Sequence, residues 1–100
     1  MLSNSKLTKV QKQSRKDKLG WLPTGSTLAN DGLCLTVLCV PAGNVTRVFS
    51  SVCSDDEAKF RRKVGEYHVL SRFFDEEPGM ILPGVWDAQE VLERLTSPTY

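Results

Sequence analysis

The chain is short of nearly everything that catalysis draws on. Histidine occurs once, at His68, and the three cysteines, Cys34, Cys39 and Cys53, are an odd number with no C-x-x-C pair among them. Structural zinc takes four ligands in paired spacings, which three scattered thiols and one imidazole do not supply. Cys53 with His68 is the least implausible nucleophilic pair, because Cys53 falls just before an expected helix. Small strand-borne thiols and a boundary imidazole are the ordinary alternative. Neither G-x-x-x-x-G-K-[ST] nor G-x-G-x-x-G occurs, and the acidic run Asp75–Glu77 is contiguous rather than spaced as in a calcium loop. The expectation is a protein that is not an enzyme, with no catalytic residue, no cofactor and no metal.

Long apolar runs are also missing. A membrane span needs about 18 consecutive apolar residues, whereas the longest apolar stretch, LCLTVLCV, is the size of a strand. The basic start of the chain is not followed by the apolar segment of a signal peptide, so a cytoplasmic protein with reduced thiols is expected, and the N-V-T triplet at 44–46 carries no glycan. Neither repeats nor low-complexity tracts are seen.

What the chain does have is a skewed charge. The formal net charge is +1 over 100 residues. Residues 1–18 carry Lys6, Lys9, Lys12, Arg15, Lys16 and Lys18 against Asp17 alone, a net of +5; residues 19–100 carry seven basic and eleven acidic side chains, a net of −4. With few sizeable apolar groups in the first eighteen residues, a helix there has little to bury, so residues 1–18 read as a flexible basic arm and 19–100 as a single small domain.

Within that domain, GLCLTVLCV at 32–40 and VTRVFSSVC at 45–53 are rich in branched residues and flank PAGN, the pattern of a β-hairpin with a four-residue loop. The first strand is apolar on both faces, with Leu33, Leu35, Val37 and Cys39 on one side and Cys34, Leu38 and Val40 on the other, which places it centrally. The second is half polar and reads as nearer an edge. Ser54 and Glu57 form a capping box opening a helix, whose stripe Phe60, Val64, Tyr67 and Phe74 is expected to face the hairpin. On the same wheel Val69 and Phe73 form a second apolar patch on the back, beside Arg62. MILPG suggests a third strand, VWDAQEVLERL at 85–95 a second amphipathic helix, and LGWLPTGSTLAND a linker containing a short edge strand. The fold class is α+β: a two- to three-stranded antiparallel sheet built on the hairpin and packed by two helices.

Two functions follow as expectations. One is a non-enzymatic protein-interaction module, accessory or regulatory, that binds a protein partner or self-associates through an open strand edge and the Val69, Phe73 and Arg62 patch. The other is a nucleic-acid-associated accessory protein whose arm places Lys6, Lys9, Lys12, Arg15, Lys16 and Lys18 on phosphates. Small size without catalytic groups also suits an accessory protein of a phage or other mobile element.

Overall fold

A computed structural model describes residues 7–32, 34–52 and 62–96. Seven elements follow in order: α1 (Lys9–Trp21), β1 (Thr27–Asn30), β2 (Leu35–Ala42), β3 (Val45–Val52), α2 (Arg62–Phe74), β4 (Met80–Pro83) and α3 (Ala88–Thr96). The four strands form one antiparallel sheet in sequence order, β1-β2-β3-β4. The sheet has four strands rather than two or three, because the short edge strand expected in the 19–31 linker joins it as β1, and α1 makes one helix more than expected.

Alternation in β2 divides the core in two. Val37 and Cys39 project to one face and pack with Val48, Ala88, Val91 and Leu92 beneath α3; Leu38 and Val40 project to the other and pack with Phe49, Val69 and Leu70 beneath α2. β2 is buried on both faces because helices cover both, which is why its sequence is apolar without interruption. β3 is not an edge strand, since it pairs with β4 from Val45 to Val48. Its polar residues have internal work: the buried Thr46 hydroxyl donates to the carbonyl of Gly84 and accepts from the Trp86 amide, while the Arg47 guanidinium lies over the rings of Phe49 and Phe73 and donates to the carbonyl of Glu77.

Turn chemistry sets the register. Ala42 pairs with Val45, so the hairpin loop is Gly43-Asn44 rather than PAGN, and Pro41 lies within the strand. Gly43 has φ +71°, the first central position of a II′ turn, which a glycine fills without strain. At the end of α2 the amide of Glu77 donates to the carbonyl of Arg72 and that of Glu76 to Phe73, a Schellman arrangement with Glu76 at φ 62° where glycine is usual. α3 opens on a capping box in which the Glu90 amide donates to Asp87 and the Asp87 amide to Glu90. Its buried residues are Ala88, Val91 and Leu92, while Val85 and Leu95, apolar residues at the two ends of the expected 85–95 helix, are exposed.

The largest departures concern the described part of the basic arm and the faces of α2. From Lys9 the arm is helical. Thr8 and Gln11 close a capping box at its start, and the helix lies against α2. The sheet-facing line of α2 is Gly65, Val69 and Phe73, with Val69 fully buried and Phe73 edge-on to Phe49 at 5.6 Å. These two residues are thus part of the core, not an exposed back face, and Arg62 stands exposed apart from them. Tyr67, expected to face the hairpin, meets α1 instead, with Lys18 Nζ 5.7 Å from its ring centre; Phe74 packs on the Leu38, Val40 and Phe49 cluster as expected and also meets Trp21 of α1 edge-on. The two apolar sides of α2 answer to two neighbours, the sheet and α1. Lys6, Phe60 and the expected cap of Ser54 and Glu57 lie outside the described residues.

Candidate functional site: a basic groove between α1 and α2

α1 is a helix with no buried residue, held at its middle and its end. At 100° per residue, Lys9, Lys12 and Lys16 fall within about 60° of one another, and Leu19 and Arg15 continue around the helix from Lys12, about 20° and 60° beyond it. Leu19 and Leu22 pack against the cluster beneath α2. The Arg15 guanidinium donates to Glu66 Oε1 from both Nε and Nη2, at 3.0 and 2.8 Å, and both side chains are only 14% exposed. Glu66 also lies 3.8 Å from Arg62. One carboxylate thereby consumes the charge of Arg15 and fixes the height of α1 against α2.

The pairs Arg15–Glu66, Lys18–Tyr67 and Trp21–Phe74 rise in number together on both helices, so α1 and α2 run side by side in the same direction. Near their starts they leave a groove of about 410 Å³ lined by Lys9, Lys12, Gln13, Arg15, Lys16 and Lys63. Among the described residues Lys9, Lys12, Lys16 and Lys63 have no ion-pair partner. Arg15 is matched by Glu66 and Gln13 donates to Asp17, which leaves four cations about one hollow with no ion pair among the described residues. Such a hollow attracts anions and suits phosphate, whose oxygens accept from ammonium groups.

The structure thus assembles Lys9, Lys12, Arg15 and Lys16 of the expected set, and sets Lys18 apart over Tyr67. It adds Lys63. The signal for an ordered arm was present in Thr8-Lys9-Val10-Gln11, the T-x-x-Q form of a capping box.

Elsewhere the titratable groups are spread out. Cys39 is fully buried under α3, where burial and the nearby charges of Asp87 and Glu90 push its thiol up to about 11. His68 is on the exposed side of α2, across the sheet from Cys39; burial and then Arg72 hold its imidazole below its ordinary value. Cys53 lies outside the described residues. Among the described residues there is no group of three His, Cys, Asp or Glu side chains placed to hold a metal ion, and no helix long and apolar enough to cross a membrane. Compared with protein-family models, curated proteins and solved structures, the chain matches none.

Proposed function

We propose that this chain is a nucleic-acid-associated accessory protein that holds phosphates in the groove between α1 and α2. One observation carries the reading: ordering the arm as a helix gathers Lys9, Lys12 and Lys16 on one face and sets Lys63 across from them. A mobile tail of the same composition would spread its charge; a helix fixed by the Arg15–Glu66 pair concentrates it. Contacts of this kind give affinity without sequence preference and weaken steeply with salt.

The test is fluorescence anisotropy with a labelled oligonucleotide over a salt series. Lys12→Glu with Lys16→Glu is expected to abolish measurable binding at physiological salt. The milder pair Lys12→Gln and Lys16→Gln is expected to lower the slope of log affinity against log salt by about 2, roughly one for each phosphate contact removed. Unchanged affinity and slope in both variants would remove the proposal.

The protein-interaction reading rests on a different observation, the open edge of β4, where Met80 and Ile81 are 55% and 52% exposed. Strand addition there joins the sheet to a second copy or another protein. Four residues ending in Pro83 make a short template, and Val69 and Phe73 no longer contribute to it, so the groove is the better supported site. Light scattering at increasing concentration tests self-association directly: a monomer throughout ends the homodimer form of this reading.

A further inference from the structure

Taking the groove as a phosphate site, we infer that its ligand is single-stranded rather than duplex nucleic acid, with Tyr67 as a surface for base stacking. The inference rests on the proposed function and adds the substrate class.

Its first ground is shape. The cations line a hollow between two packed helices, whose axes in such pairs stand about 8–10 Å apart. A convex helix or ribbon is the shape that enters the major groove of a duplex. A concave, cation-lined hollow instead suits one flexible backbone, as in proteins that bind single strands through a charged groove with adjacent aromatic rings.

Its second ground is what lies further along the same seam. Because α1 and α2 are parallel, the seam passes from the lysines near the helix starts to Lys18 and Tyr67, and then to Trp21 and Phe74. Tyr67 stands one turn after Lys63 on α2, farther along the seam than the residues that line the groove. Its ring has Lys18 Nζ 5.7 Å from its centre, and the His68 ring meets it edge-on at 5.6 Å. Lys18 is a flexible cation resting on a π face; drawn onto a phosphate, it uncovers that face for a base. Trp21, 65% exposed and edge-on to Phe74, offers a second ring farther on. Phosphate sites followed by rings along one line match a strand whose backbone and bases bind in succession.

The experiment uses the full-length wild-type chain and three charge-matched ligands at low salt: an oligothymidine of about 12 nucleotides, an abasic oligodeoxynucleotide of equal length, and a duplex with the same number of phosphates. Oligothymidine is expected to bind at least about 5-fold tighter than either of the others, the lower end of what one base–aromatic stack supplies. Tyr67→Leu should erase the preference over the abasic strand while leaving abasic binding and the salt slope unchanged, and Tyr67→Phe should keep it. Because the wild-type comparison needs no variant, the inference stays testable even if Tyr67→Leu misfolds. Equal binding of the thymidine and abasic strands, or duplex binding as tight as single-strand binding, overturns the inference while sparing the phosphate site. Binding of none of the three overturns both.

Discussion

Gly65→Ala is expected to be among the most damaging small substitutions in the chain. Gly65 is buried at the closest approach of α2 to the sheet, above Thr36 of β2, which is itself 0% exposed. A methyl group at Gly65 would overlap Thr36 Oγ1 and come within 3.0 Å of Thr36 Cβ. Neither partner has room to yield, because Thr36 sits between β1 and β3 in the ladder and α2 is held laterally by α1. Overpacking costs about 1–3 kcal/mol, and an overlap with the base of a strand side chain belongs at the upper end. Alanine returns roughly 1 kcal/mol through helix propensity, leaving a net loss of about 2 kcal/mol. For a domain of this size that lowers Tm by roughly 10 °C.

The reasoning is checked by a double-mutant cycle in thermal or urea denaturation. Thr36→Ala removes the atom that meets the new methyl group most closely, so Gly65→Ala should cost less than half as much in that background, a coupling of about 1 kcal/mol or more. Gly65→Ala as stable as the wild type, or equally costly with and without the Thr36 hydroxyl, would refute it. Lys63 and Tyr67 flank Gly65 on α2, so the shift should also weaken oligonucleotide binding without removing a charge.

Thr36→Val alone should raise stability by about 1 kcal/mol, because Thr36 Oγ1 is buried with no hydrogen-bond partner among the described residues; the urea midpoint reports it. Glu76→Gly should add roughly 1 kcal/mol by relieving the left-handed backbone at φ 62°, read as a rise in Tm with oligonucleotide affinity unchanged. Glu66→Ala should cost about 3 kcal/mol, since it leaves Arg15 without its carboxylate in the α1–α2 seam, and hydrogen exchange should then rise in α1 before the sheet. Cys39 gives a pH signature: with its thiol at about 11 when folded and near 9.0 when unfolded, the unfolded chain loses the proton first, so stability is full below pH 9 and falls as pH rises toward 11. Cys39→Ala should flatten that decline in urea titrations at pH 8 and pH 10.5, and an unchanged decline would assign it elsewhere.

The central part of the fold was legible because its signals are local. The apolar run of β2 identifies a strand covered on both faces, and the amphipathic spacing of VWDAQEVLERL identifies α3, which begins at Ala88 rather than Val85. What escaped was set by partners distant in sequence. β3 looks like an edge strand because Thr46 and Arg47 are polar, yet both are satisfied by the segment after α2, through Gly84, Trp86 and Glu77. α2 was turned around for a related reason. Its line toward the sheet begins at Gly65, where the absence of a side chain is what allows close packing, and a hydrophobic wheel gives such a position no weight.

The candidate site depends on the same two-sided packing of α2. Tyr67 and Phe74 mark a second packing side on α2, and a helix with two apolar sides requires two neighbours; the missing neighbour was the arm itself. α1 escaped a hydrophobic reading because its docking depends on Arg15 with Glu66 at its middle and on Leu19 and Leu22 at and beyond its end, not on an apolar stripe along its length. Held in this way, the helix keeps its lysines turned outward. The cations that make α1 a poor helix to bury are then the ones that line the groove, so the weakness of its packing and the concentration of its charge have a single cause.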